Sequence, residues 1–231
     1  MRKTSRIVGS LLIVAGVLTL AWVVLVWRWQ DPFTAVYTHF QQARLSNMYE
    51  QRASTFRARP THGDLVSVQR QIATEARAYR RTLQTGDPVG RLRIGRIGLN
   101  MVVVQGSDHE TLKKGPGHFI ASGLPGEGHL IYVAGHRTTY LAPFAWINNI
   151  RAGDYIRFEL PYGVFTYRAT RHYVVADNTV AVLKDTGTEI LRLQACHPRF
   201  FATERYIVDA KLVGVAPRGG TAYSPVRSAS S

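Results

Sequence analysis

A thiol, an imidazole and a guanidinium are the groups in this chain whose types and placement could do covalent chemistry together. Cys196 is the only cysteine of 231 residues and lies in LRLQACHPRFFATERYIV. A thiol attacks carbonyl carbon as the thiolate, which calls for a base or a cation close by. His136, in LIYVAGHRTTY, offers the imidazole, and Arg205, nine positions after Cys196, offers the cation. An arginine keeps its proton, so its part is to donate hydrogen bonds and stabilise developing negative charge. Cysteine, histidine and arginine in these roles make a candidate acyl-transfer site.

The sequence places each of the three at the end of a β-strand. Alternation along EILRLQAC puts Leu191, Leu193 and Ala195 on one face and Arg192, Gln194 and Cys196 on the other. The leucines suit a core, so Cys196 falls on the more polar face, where at short range the charge of Arg192 would favour a thiolate. Gly135 allows a tight exit that presents His136, and a hairpin across HPRFFATE would bring Arg205 back beside Cys196. His197 competes as the base, but adjacent strand residues face opposite ways, so it is expected to point elsewhere. His109, His118, His129 and His172 lack a strand-end setting and are read as structural.

Beyond Gly86 the texture is short apolar runs between turn signals, the pattern of an all-β barrel or sandwich. The runs are RLRIGRI, NMVVVQG, GHLIYVAGH, YIRFEL, VFTYRATRHYVV, EILRLQAC and RYIVDAKLVGVA, with a hairpin turn at Pro161-Tyr162-Gly163. HETLKK and PFAWINNI read as short helices. Asp177, Asp185 and Glu189 are loosely grouped and read as solvated surface; no metal or cofactor is expected.

The segment before this domain has a different composition. Ile7 to Trp27 carries no charge, and 21 helical residues span about 31 Å, enough to cross a bilayer. Arg2, Lys3 and Arg6 precede it, so residues 1–28 read as a cytoplasmic tip and uncleaved signal anchor, with all that follows outside the cell membrane. Residues 29–85 read as a partly helical stalk with sparse apolar positions, 86–216 as the β domain and 217–231 as a disordered tail. The net charge of +14 invites a nucleic-acid reading, but about 12 of the 29 basic residues and only 4 of the 15 acidic ones lie in residues 1–85. The β domain has no basic and aromatic stripe, so no nucleic-acid partner is expected. A single cysteine excludes an internal disulfide and a multi-cysteine zinc site.

AGHRTTYLAPF, then LRLQACHP, then an arginine opening the last strand, behind a signal anchor, resembles the sortases. GHRTT followed by Pro-Phe, and Cys-His-Pro, are most similar to class E, from high-GC Gram-positive bacteria. The resemblance covers residues 86–216 and implies a mainly β fold, an eight-stranded sortase-type barrel with short helices. It implies a cysteine transpeptidase that cuts an LPXTG or LAXTG sorting signal between Thr and Gly. Cys196 would be the nucleophile, His136 the acid/base and Arg205 the donor to substrate backbone and oxyanion. Its partners would be surface proteins with a C-terminal sorting signal and the amine of a peptidoglycan precursor or pilin. Where sortases usually have Thr-Leu-x-Thr-Cys this chain has Arg192-Leu193-Gln194-Ala195-Cys196, lacking both threonines. That departure keeps open an alternative, a surface-tethered β domain that binds or assembles proteins without chemistry.

Overall fold

The computed structural model describes residues 2–29, 32–61 and 63–225. Its order is α1 (Arg2–Trp29), α2 (Pro32–Thr55), α3 (Leu65–Thr82), β1 (Pro88–Ile94), β2 (Leu99–Gln105), α4 (His109–Leu112), β3 (Gly117–His118), β4 (Leu130–Gly135), β5 (Tyr155–Leu160), β6 (Gly163–Ala176), β7 (Ile190–His197) and β8 (Glu204–Pro217). The eight strands close a barrel in the order β1-β2-β3-β4-β7-β8-β6-β5. The seven apolar runs each become a strand. The remaining one, β3, is two residues long, paired parallel with β2 and antiparallel with β4, and too short to leave a periodic signal.

Alternation builds the barrel interior. In β5, Ile156, Phe158 and Leu160 are buried while Tyr155 and Arg157 face solvent; in β6, Phe165, Tyr167 and Ala169 point inward opposite them. Each such large apolar side chain removed from water contributes about 1.5–3 kcal/mol. PFAWINNI forms a 3-10 turn at Ile147–Asn149 in place of a longer helix. Phe144, Ile147 and Ile150 recur every three residues and are all buried, the period that a 3-10 turn places on one face.

The helices before the barrel pack on it. Val68, Ile72, Ala76 and Tyr79 form a stripe along α3 that joins the main core, and Asp64 caps its first turn by accepting from the Ser67 N–H. Leu45 and Tyr49 of α2 are buried against Val102 and Val104 of β2, and Gln42 bonds the backbone of Val102 in both directions. The sparse burial expected for residues 29–85 is therefore not what this segment shows. The chain also turns back after β8: Tyr223 pairs with Val215 and packs half-buried on the core, and Arg218 donates to the Ala53 carbonyl at the end of α2. Of the tail expected to be disordered, residues 226–231 lie outside the described residues. Within α1, Thr4–Val24 has a mean hydropathy of 2.5 and none of it is buried, which is compatible with a single membrane span.

Candidate functional site

Strand register brings the three expected residues to one end of the sheet. β4 and β7 run parallel and pair as far as Gly135 with Ala195, so His136 leaves β4 beside Cys196, which β7 carries on to pair with β8. β7 and β8 are antiparallel, with Cys196 directly opposite Arg205. Neighbouring strands lie about 4.8 Å apart, so the backbone sets the three residues close together at one end of the sheet. Gly135 is required at the strand exit by close approach: a Cβ there would meet Phe144 Cδ2 at 2.7 Å. The Phe144 N–H donates to the His136 carbonyl at 3.1 Å, tying that buried ring to the backbone of the histidine.

His136 is half-buried and its Nε2 has no hydrogen-bond partner. Burial, then the neighbouring His109, lowers its pKa below the usual value, so the ring is neutral at pH 7 and can accept a proton. The Tyr140 ring lies over it at 5.1 Å, and His109 of α4 meets it edge-on at 6.4 Å. His109 thus stands beside the site, away from the purely structural place expected of it. Cys196 is half-buried at the end of β7. Arg205 donates from one nitrogen to the carbonyls of Ala202 and Glu204, at 2.8 and 2.9 Å, which anchors one edge of a guanidinium with five donors.

Two strained loops flank the patch. Tyr140, Leu141 and Ala142 have φ of 54°, 57° and 37°, the left-handed region that non-glycine residues seldom occupy. The loop is held by the Tyr140 N–H donating to Thr34 Oγ1 at 3.0 Å and by an edge contact from Tyr37, both on α2. In the β7–β8 loop, Phe200 and Ala202 are also left-handed, at 74° and 57°, and the Phe200 and Phe201 rings are exposed.

From the patch, a shallow apolar layer runs along the outer face of β4, β7 and β8. Tyr132, Ala134 and Ile207 pack there under Val182 of the 3-10 turn Val180–Leu183. The Tyr132 hydroxyl donates to Gln194 on that face. Arg192 shares the face of Cys196 as the alternation requires, but its charge is engaged elsewhere. It is 4% exposed and forms a two-point ion pair with Asp209 while donating to the Val182 carbonyl at 2.6 Å. The expectation that Arg192 serves the thiol is thereby corrected: it locks the 3-10 turn to the sheet.

Sequence reasoning missed Arg137. The residue is 5% exposed, and its guanidinium donates to the Cys196 carbonyl at 3.2 Å, His197 Nδ1 at 2.7 Å and Asn148 Oδ1 at 2.9 Å and lies over the Tyr206 ring. Long contacts across the β4–β7 junction leave no periodic trace, and the only signal was an arginine beside a candidate catalytic histidine. Since arginine can only donate, His197 Nδ1 is the acceptor and its proton sits on Nε2. His118 is wholly internal, within 3.0 Å of Gln105, Gly123 and Ser122; His129 pairs with Asp185, and His172 stacks on Tyr206. Glu189 is not solvated surface: it accepts from the N–H groups of Gly126 and Gly128 and from the Tyr167 hydroxyl. Among the described residues no group of three His, Cys, Asp or Glu is placed to hold a metal ion.

Comparison with known proteins gives this geometry a context. Residues 92–213 match the family model described as a sortase domain. Sortase D of Bacillus subtilis is 34% identical over 134 residues, 56% of this chain and 66% of the relative. Sortase SrtE1 of Streptomyces coelicolor is 27% identical over 231 residues, 93% of this chain and 58% of the relative, so the chain spans two thirds or less of both. A crystal structure of sortase E1 from that organism, with a tripeptide in the active site, superposes with a TM-score of 0.54 at 25% identity, covering 58% of this chain and 92% of that one. With more than half its length inside the family model, and the eight-stranded barrel that its residues build, the chain belongs to the sortase family, with similarity to class E.

Proposed function

We propose that this chain is a membrane-anchored cysteine transpeptidase acting on sorting signals of the LPXTG or LAXTG type. The observation that carries the reading is the register that sets Cys196 directly opposite Arg205 and next to His136. Cys196 Sγ, as the thiolate, attacks the carbonyl carbon of the signal's threonine. Arg205 stabilises the oxyanion that forms. The His136 imidazolium, holding the proton taken from the thiol, gives it to the departing glycine nitrogen as the C–N bond breaks. That leaves a thioester on Cys196 and a neutral imidazole. An amine of a peptidoglycan precursor or a pilin then attacks the thioester and passes its proton to His136, and the Cys196 thiolate leaves as the new amide bond forms, restoring the thiolate and imidazolium pair.

The tripeptide in the active site of the Streptomyces enzyme supports a peptide substrate for this chain. The apolar stretch Thr4–Val24 supports a single-pass anchor in the cell membrane, N-terminus inside and barrel outside.

Full-length protein in detergent, mixed with LPXTG and LAXTG peptides, should gain the mass of the acyl fragment by intact-mass measurement. Cys196→Ala should gain nothing. Absence of an adduct with every peptide of the panel would leave the chain as a binding module on a sortase fold.

A further inference from the structure

The first turns of α2 carry an apolar face turned away from the barrel. Thr38, Gln42, Leu45 and Tyr49 form the inward stripe: the Thr38 hydroxyl donates to the Lys113 carbonyl at 2.8 Å, Gln42 donates to the carbonyls of Val102 and Lys114, and Leu45 and Tyr49 pack on β2. A helix turns about 100° per residue, so Val36 and Phe40, two positions to either side of Thr38, point the opposite way. They are 58% and 70% exposed. Between Val36 and Ala43 the exposed residues are Val36, Tyr37, His39, Phe40 and Ala43, with no carboxylate, lysine or arginine among them. Arg44 ends this run, and the exposed positions beyond it include Asn47, Glu50, Gln51 and Ser54.

An aliphatic and an aromatic side chain one helical turn apart, both facing water, leave apolar surface that gains by being covered. The position of the face in the chain says what covers it. Val36 follows Trp29, the last residue of α1, by seven positions, a reach of at most about 25 Å, and α1 holds the apolar stretch Thr4–Val24. The face is apolar where it is nearest α1 and turns polar as α2 moves away. That gradient fits a helix leaving a bilayer, with aromatic groups at the interface and an arginine whose stem follows apolar surface while its head reaches lipid phosphate.

We propose that the first turns of α2 lie on the membrane that α1 spans, with Val36 and Phe40 at the boundary between headgroups and acyl chains and Arg44 at the phosphates. The barrel is then seated on the lipid, where a stalk would hold it off. The proposal rests on the reading of α1 as a membrane anchor. Phe40 is eight positions into α2, about 12 Å along its axis, against a headgroup layer of about 5–8 Å, so the helix leans along the surface. The same turns hold the Tyr140 loop over His136, through the Thr34 hydrogen bond at 3.0 Å and the edge contact of Tyr37 at 6.5 Å. The lipid contact and the histidine therefore share one support.

Cys196 is the only cysteine, so full-length protein carrying Cys196→Ser accepts a nitroxide at one chosen position. Leu18→Cys, Val36→Cys, Phe40→Cys and Asn47→Cys are labelled one at a time in vesicles of phosphatidylcholine and phosphatidylglycerol. Oxygen concentrates among acyl chains and a nickel chelate stays in water, so the ratio of their collision rates with the label reads depth. The ratio should be highest for the label replacing Leu18, and for those replacing Val36 and Phe40 it should exceed the Asn47 value by at least about threefold. With the Leu18 label in the acyl core, an Asn47-like ratio at Val36 and Phe40 overturns the proposal. So does loss of both kinds of collision there, the sign of a contact with a second copy or another protein surface. A water-like ratio at Leu18 overturns the anchor reading, and this proposal with it.

Discussion

Arg192 and Asp209 sit directly opposite each other on β7 and β8 and close two hydrogen bonds, Nε to Oδ1 at 2.6 Å and Nη2 to Oδ2 at 3.0 Å. Both side chains are almost fully buried, and Arg171 makes a further contact with the same carboxylate at 2.9 Å. Removing one partner of a buried pair strands the other, at about 3–5 kcal/mol. Arg192→Leu should therefore lower the unfolding free energy in urea by roughly 3 kcal/mol, the lower end because Arg171 remains. Arg192→Leu with Asp209→Leu should recover most of that loss; a double variant worse than the single would show that packing, not charge, carries the effect.

His118 makes the fold acid-sensitive. Burial lowers its pKa from 6.5 to about 4. Between those values the unfolded chain binds a proton that the folded chain refuses, so stability is fully present above about pH 6.5 and declines as pH falls toward 4. The span corresponds to roughly 3 kcal/mol. Glu127 and Glu189, whose pKa values burial raises, take up protons preferentially in the folded state and offset part of the loss at the acid end. Thermal melts from pH 7 to 4 should fall steeply in the parent and less so in His118→Gln; parallel curves would refute the assignment.

The packing of α2 predicts where the domain can be trimmed. A fragment from residue 60 loses Leu45, Tyr49 and the Gln42 bonds to β2, together with the Thr34 support of the Tyr140 loop. Burial of the two large side chains alone corresponds to about 3–5 kcal/mol. Its melting temperature should lie roughly 10 °C below that of a fragment from residue 32. Equal melting would mean that α2 docks without adding stability.

Gly135 predicts a change that separates placement from reactivity. A Cβ 2.7 Å from the Phe144 ring forces that ring to shift, at about 1–3 kcal/mol, and the backbone N–H of Phe144 donates to the His136 carbonyl. Gly135→Ala should cut the rate of peptide thioester formation at least tenfold while iodoacetamide still labels Cys196 at a rate within a few-fold of the parent. Loss of both, or of neither, would contradict it.

Much of the barrel was legible because its strands alternate, as in β5, or run apolar between glycine and proline signals, as in β4. The meeting of Cys196 and Arg205 was also legible, since a hairpin needs only the short loop between them. The docking of α3 was present as Val68, Ile72, Ala76, Tyr79 and Leu83, spaced by three and four, but arginines between them masked it. Arg137, the Asp209 partner of Arg192 and the seat of Glu189 were not legible. Each depends on residues 17 to 63 positions apart meeting through register, and composition carries no register.

The Thr34 bond to Tyr140 ties the loop beside His136 to the start of α2, a few residues beyond α1. Thr34 follows the last residue of α1, Trp29, by five positions, and five residues reach at most about 18 Å. With α1 spanning the membrane as proposed, the loop that shelters His136 is leashed to the lipid headgroups. A client would then be met as it emerges, while its C-terminus is still embedded, and an acceptor on a lipid carrier would need no further travel to reach the thioester.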